Sequence, residues 1–548
     1  MAPAFTEHTS EPAVYTTDVL VVGSGPVGAT YARKLVDAGI EVLMVEIGSQ
    51  ENPIPGEHKK NAIAYQKDLN SFSSAVNAEL NLLSVPTTPN VFPTTEPISF
   101  SSKGTIHNGQ NPRQDAFFNI PAAGASRTVG GMGAHWTCCT PEEHPKIERS
   151  NLFSNDEWES LYAEARSLIG TTREAFEISI RQQLVKRTLQ KAWSHTGREF
   201  LPMPLAVKRS KINFDYLTWG SPATVFGNIT RTVDRPGAPN FTLLPEHRCT
   251  RIEFDTYSNE INGVLGRNLR TNKDVLFKAK KYVICAGSVL TPGILYNSGL
   301  QPKLPALGRY LSEQIMTFCQ IILKKSLIDE VPRDPYGLGW DKIAAEHHKK
   351  HPSDPLPFPF NDPDPQVTSP VSEKFQWHTQ IHRDAFTYGQ IPPDIDQRTV
   401  VDLRFYCKTD PHHDNYVEFT NDIKDTFGMP QPTFHFQIKD YEAKRAHEMM
   451  LDMQRVAGDL GGYVPGQSPH YLPPGSALHI TGTTRAGTSE HDSVCNKNGK
   501  VWGTNDLYVG GNGVIPTGTA CNPTLTSMCF AIVGANTIIA ELGKDAKK

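Results

Sequence analysis

The sequence predicts an α/β fold in two domains: a doubly wound parallel sheet assembled from distant segments, and a second, largely antiparallel sheet with its own helices. Three observations lead there. At 548 residues the chain exceeds what one hydrophobic core usually serves, so two packed domains are expected. A pattern of apolar strand, glycine turn and helix appears near the N-terminus and recurs in the middle and at the end of the chain. Between the later occurrences lie segments that alternate apolar and polar residues at period two, as half-buried antiparallel strands do.

The first occurrence, "TDVLVVGSGPVGATYARKLVDAGIEVLMVEIG", reads as strand, turn, helix and a second strand ending in an acid, a βαβ unit. Gly23 permits the tight turn, Gly25 lets the backbone approach a pyrophosphate, and Gly28 lets the helix lie close on the strand. A phosphate placed there would meet the free N–H groups and positive dipole end of the helix. Val27, Tyr31 and Leu35 share a helix face to bury, and Gly39 can end the helix. Glu46 lies 23 positions after Gly23, near the spacing at which an acid accepts both ribose hydroxyls. Together these features read as a Rossmann-like dinucleotide site, equally suited to NAD and FAD.

The second occurrence is "KKYVICAGSVLTPGILYNSGL" at 280–300, a later parallel strand of the same sheet. The third, "NDLYVGGNGVIPTGTACNPTLTSMCFAIVGANTIIAEL", places an apolar helix capped in the region of Asn522 to Thr524 near the C-terminus. The nucleotide domain thus draws on both ends of the chain. In the second domain, "FQWHTQIHRDAF", "RTVVDLRFYC", "NYVEFT" and "PTFHFQIKD" read as strands of one antiparallel sheet, followed by an amphipathic helix, "DYEAKRAHEMMLDMQRVAGDLGG". Ser154 stands three residues before Glu157 at the head of another helix, a capping-box signature. Residues 84–125 lack periodicity and suggest an interface arm, and residues 326–368, rich in Pro, Asp and His, form a second irregular insertion.

Composition narrows the function classes. Lys and Arg number 54 against 58 acids, a net charge of -4 with no long basic run, which argues against nucleic acid. The N-terminus lacks the pattern of a secretory signal and no apolar run approaches a membrane span, so a soluble protein without a membrane partner is expected, its compartment left open. Sequons at Asn228 and Asn240 do not decide that compartment. Nine scattered cysteines fit neither a disulfide framework nor a zinc site and read as mainly reduced and structural. The segments "EHHKKH" and "DPHHDN" read as solvated loops, and no metal is expected.

Longer blocks then carry a resemblance. The early glycine motif with Glu46, "GGMGAHWTCCTPEEHP", "GSVLTPGILYNSG", "PDPQVTSPVSEKFQWHTQIHRDAFTYG", "LHITGTTRAG" and "GNGVIPTGTACNPTLTSM" occur in the order found in the glucose–methanol–choline (GMC) family of FAD oxidoreductases. The chain resembles the sugar-oxidising members over almost its full length. The resemblance implies FAD joined covalently through His135 to the 8α-methyl of the flavin, with Thr137 near N(5) and O(4), and with Cys249, Gly511 and Thr524 also against the cofactor. It implies His479 and Asn522 as the catalytic pair; of the two, only imidazole has a proton-accepting state at ordinary pH. Gln380 and His382 are implied sugar contacts, with Asp384, Phe386 and Tyr388 on a loop closing over the sugar.

The family further implies a division into FAD-binding segments at 14–75, 241–315 and 476–548, a possible oligomerisation arm at 84–125, a flavin-attachment segment at 126–150, a mixed connecting region at 151–240, and a substrate domain at 316–475. It also implies a homotetramer that oxidises aldopyranoses such as glucose at carbon-2, with O2 reduced to hydrogen peroxide or quinones as acceptors. Two alternatives stay open at this point: a related dehydrogenase of sugar glycosides or other alcohols that reacts poorly with oxygen, and an FAD-holding protein without catalysis.

Overall fold

The computed structural model describes residues 12–66, 80–84, 111–255, 260–383 and 391–545. Its first sheet is centred on the strand Ala13–Val22, which pairs in parallel with Val42–Val45 on one side and Lys273–Ile284 on the other. Phe241–Leu244 extends it in parallel beyond Val42–Val45, and Leu507–Val509 runs parallel along the carboxyl end of Lys273–Ile284. The connection order therefore reverses between Ala13–Val22 and Lys273–Ile284, the switch point outside whose carboxyl ends such sheets bind ligands. Val19 to Val22 form a buried apolar run, as in a strand paired on both sides in the middle of a covered sheet. Two antiparallel strands, His247–Phe254 and Ile261–Asn268, continue from the amino half of Lys273–Ile284.

The helix Pro26–Asp37 opens with Gly25 at its N-cap, lacks a side-chain cap, and ends before Gly39 at φ +83°. Val27, Tyr31 and Leu35 are all buried on its inner face. The C-terminal helix (Thr524–Asp545) lies against it so closely that a Cβ on Gly534 would sit 2.1 Å from the Tyr31 hydroxyl. One correction concerns this helix. Thr524–Gly543 is long and apolar enough to cross a membrane, contrary to the expectation that no run approaches a span. Its apolarity has a local cause, since 61% of that window is buried inside the fold, as in a core helix.

The second sheet is an antiparallel ladder of Gln314–Leu323, Val400–Lys408, Trp377–His382 and Gln366–Ser369. Cys319, Ile321, Leu403, Phe405, Trp377 and Ile381 pack one face of it against the helix Asp440–Leu460 through Met449, Met453 and Val456. The period-two pattern predicted this face. It did not predict the other: His378, Gln380, His382, Asp402, Arg404 and Tyr406 are buried too, so the polar face is covered rather than solvated. Tyr416–Glu418 and Thr433–His435 correct the one-sheet expectation, because they pair only with each other and pack Val417, Phe419, Phe434 and Phe436 against Val289, Leu311 and Ile480.

Residues 326–368 also differ from an irregular insertion. They contain the helix Trp340–Lys350, whose Trp340 and Ala344 join Ile180, Leu184, Val331 and Phe358 in a small separate core. "EHHKKH" thus lies at the end of a helix rather than in a loop, with His347 Nε2 2.7 Å from Asp354. Within 84–125, residues 85–110 lie outside the described residues, and the remainder runs beside Pro432 to Phe436 through Asn111 and Gln114. Ser154 and Glu157 form the expected capping box, and all nine cysteines are buried free thiols.

Candidate active site

A cavity of about 320 Å³ opens at the switch point of the first sheet and runs to the edge of the second domain. Gly23, Gly25 and Glu46 line it beside the first sheet, His479 and Asn522 where it meets the second, and Cys249, Cys285, Val289, His135, Thr137 and Thr524 line it as well. Gly23 takes φ +98° with its Cβ position 2.4 Å from the Cys285 carbonyl, so only glycine fits that turn. A Cβ on Gly28 would fall 2.0 Å from the Gly23 carbonyl, which makes Gly28 a packing residue rather than a wall of the cavity.

Gly25 behaves differently. Its Cβ would meet no protein atom closer than 4.0 Å and would project into the cavity beside the uncapped helix N-terminus. That is a cradle for a pyrophosphate, and the residues fit a dinucleotide. Glu46 Oε2 accepts from both Ser24 N (3.0 Å) and Ser24 Oγ (2.7 Å), and Oε1 accepts from Gly48 N at 2.9 Å. The Ser24 hydroxyl in turn accepts from Gly130 N, tying the two glycine turns together. Arg127 adds a positive charge to this wall, 3.6 Å from Asp425.

His135 ends the short 3-10 turn Gly131–Ala134 and is buried, with Nε2 2.6 Å from the Ser126 hydroxyl. The turn requires Gly130 and Gly131 at positive φ. Behind it, His58 donates from Nε2 to the Trp136 carbonyl at 2.8 Å while its Nδ1 accepts from Lys60 N. Burial pushes the His58 imidazole down to about 3, so it stays neutral in that role.

At the far end, Asn522 Nδ2 donates to His479 Nε2 across 3.1 Å. Asn522 Oδ1 accepts from Gln380 Nε2 at 2.8 Å, and Gln380 Oε1 accepts from the Tyr406 hydroxyl at 3.2 Å. On the other side of the imidazole, Nδ1 donates to Gln314 Oε1 at 2.7 Å. His479 N donates to the Glu313 carboxyl, just after Leu478 at φ +60°, a strained conformation held by its surroundings. Burial pushes His479 down to about 3 and Glu313 up to about 7, the latter opposed by the backbone N–H bonds it accepts. His378, beside Gln380, is pushed down to about 3 by burial and by its histidine neighbours.

Gly23, Gly25, Glu46, His135, Thr137, Cys249, Gly511, Thr524, His479 and Asn522 therefore share one cavity. Gln380 and His382 sit on one strand face behind that wall, and Gln380 reaches the site through Asn522. Asp384, Phe386 and Tyr388 lie outside the described residues. Sequence reasoning missed Glu313, Gln314, His378, Tyr406, Ser24 and Glu148. The Glu-Gln pair that opens the apolar run "QIMTFCQIIL" was a usable signal; the others carry none on their own.

GMC oxidoreductase family models match residues 228–316 and 411–531, and an FAD binding domain model matches residues 16–62. The chain is 44% identical to a pyranose 2-oxidase of Lyophyllum shimeji, over 97% of this chain and 93% of that protein. It is 43% identical to the pyranose 2-oxidase of Emericella nidulans, over 96% and 93%. A solved formate oxidase superposes with a TM-score of 0.67 at 15% identity, over 97% of this chain and 99% of that one, which speaks for the fold. With a dinucleotide cradle at the switch point and near full-length relatives above 40% identity, the chain belongs to the GMC oxidoreductase family and is an FAD-dependent oxidoreductase.

Proposed function

We propose that this enzyme oxidises aldopyranoses such as glucose at carbon-2 to 2-keto sugars, with dioxygen reduced to hydrogen peroxide and quinones as alternative acceptors. The observation that carries the reading is the His479–Asn522 contact on the wall of the cofactor cavity, in a chain with near full-length likeness to pyranose 2-oxidases. Bound FAD supplies the two-electron acceptor that takes the hydride from the carbinol carbon and hands the electrons to the second substrate.

The chain's own groups handle the alcohol. The sugar hydroxyl enters between the pair, so that its O–H donates to His479 Nε2 and its oxygen accepts from Asn522 Nδ2. One N–H···N contact is replaced by two stronger hydrogen bonds. As the hydride leaves the carbon, Nε2 takes the hydroxyl proton, and the imidazolium and the amide N–H then face the developing oxygen charge as donors. A neutral imidazole is ready for this at ordinary pH, and burial keeps it neutral. Gln380 and His382 offer polar groups to the remaining hydroxyls from the covered strand face. His135 supplies the nitrogen for a covalent link to the flavin.

Glucose-dependent peroxide release, with the product mapped by NMR, tests the reading. A 2-keto product is expected. Oxidation at carbon-1, carbon-3 or carbon-6 alone would overturn the regiochemistry, and absence of flavin reduction by any sugar would overturn the substrate class.

A further inference from the structure

The hydrogen bonds around the catalytic pair run in one sense. Tyr406 donates to Gln380, Gln380 to Asn522, Asn522 to His479, and His479 to Gln314. The chain ends where Gln314 Nε2 donates to the carbonyls of Thr519 (3.0 Å) and Cys521 (2.8 Å). Carbonyl oxygens only accept, so the amide nitrogen of Gln314 must face them and its oxygen must face the imidazole. That oxygen in turn only accepts, so Nδ1 of His479 must carry the ring proton and Nε2 must be bare.

The loop that receives these bonds is itself held. Ala520 N and Cys521 N donate to the buried Glu148 carboxylate at 2.7 and 3.1 Å, and the next residue is Asn522. Glu148 therefore grips the loop's N–H groups while Gln314 grips its carbonyls, and one short segment fixes both members of the pair.

We propose that Gln314 is a positioning residue that sets the tautomer of His479, so that Nε2 rather than Nδ1 faces the substrate hydroxyl as the proton acceptor. The assignment rests on the proposed reaction and deepens it by naming the nitrogen that takes the proton. Gln314 is buried and does not line the cavity, so it acts through the imidazole. The titratable groups that face His479 are Glu313 at its backbone, His378 across the second sheet, and the Tyr406 ring with a centroid separation of 5.9 Å.

The test compares the holoenzyme with Gln314→Met, which keeps the shape and removes the acceptor, and Gln314→Glu, which keeps an acceptor for Nδ1–H; both lose the amide donor to Thr519 and Cys521, so what separates them is the acceptor alone. Imidazole nitrogen NMR of histidine-labelled protein, with His479 assigned by its loss in His479→Ala, should show Nε2 bare in the parent and in Gln314→Glu, and mixed protonation in Gln314→Met. Flavin reduction by sugar in Gln314→Met should slow about tenfold or more at unchanged flavin content. In Gln314→Glu the acid limb of the reduction rate should move up by about one pH unit or more, because an anion against Nδ1–H favours the imidazolium. A purely structural role would leave that limb in place. Bare Nε2 in Gln314→Met with reduction within about twofold of the parent, or an unmoved limb in Gln314→Glu, overturns the proposal. A parent that no sugar reduces would instead sink the proposed reaction, and the nitrogen pattern would still decide the tautomer.

Discussion

Asn522 and His479 stand 43 residues apart in the chain yet share a 3.1 Å hydrogen bond in which the amide donates to Nε2. Both line the cavity, Asn522 two residues before the helix Thr524–Asp545. The groups that orient them, Gln380 and Gln314, come from strands of the second sheet. The pair is therefore held from the second sheet while it faces the cavity at the first.

This contact predicts unequal costs for its two members. His479→Ala removes the proton acceptor and should slow sugar-dependent flavin reduction by roughly 10²–10⁴-fold. Asn522→Ala leaves the acceptor but removes one donor to the alcohol oxygen, a loss on the order of 10–10²-fold. Stopped-flow absorbance of the anaerobic holoenzymes reads both rates, and an His479→Ala variant reduced as fast as the parent would remove the assignment.

The buried environment of His479 makes a pH prediction. Its imidazole is pushed from 6.5 down to about 3 by burial, so the base is already unprotonated across the neutral range. The reduction rate constant should stay level from alkaline pH down past the usual imidazole range and fall only in acid. A limb centred near 6.5 would mean that this imidazole is either solvated or not the base.

The glycine turn was legible because turn, helix start and terminal acid are local features: Gly23 stands at a positive-φ turn, Gly25 at the helix N-cap and Glu46 on the same cavity wall. His479 and Asn522 were legible only through likeness to a family, since a lone histidine and a helix-capping asparagine look alike in many folds. Gln314 and Glu148 were not read at all: each acts on groups more than 160 residues away, and no local periodicity records that. The second sheet misled for a related reason. Period two tells that one strand face is polar, not whether water or a reaction site lies against it, and here His378, Gln380 and Tyr406 are covered.

His135 leads to a prediction about the cofactor bond. Its ring is buried and held at Nε2 by Ser126 on a turn that glycines fix, so it is poised at one place on the cavity wall. Acid-precipitated protein should be yellow, with FAD mass on the peptide that carries His135, and His135→Asn should release its flavin into the supernatant while retaining the native absorbance before acid. Colourless precipitate from the parent would refute the bond and leave the noncovalent cradle intact.

Three buried imidazoles give the last prediction. His58, His378 and His479 are each pushed from 6.5 to about 3 by burial, so the folded protein refuses protons that the unfolded chain accepts. Their contribution to stability is complete above pH 6.5 and is lost as pH falls from 6.5 towards 3. Glu313 works in the opposite sense: raised from 4.5 to about 7, it holds a proton in the fold that the unfolded chain releases, so stability declines as pH rises between those values. Burial raises the carboxyls of Glu46, Glu143, Asp425 and Asp452 as well, and these act in the same sense as Glu313, so the histidine contribution is read by comparing a variant with the parent. Each unmatched proton steepens the fall by about 1.4 kcal/mol per pH unit. The histidine share of the thermal stability should therefore fall between neutral pH and about pH 5. His58→Gln, which can still donate to the Trp136 carbonyl but cannot titrate, should show a smaller drop than the parent. An equal drop in both would show that His58 does not take part in this linkage.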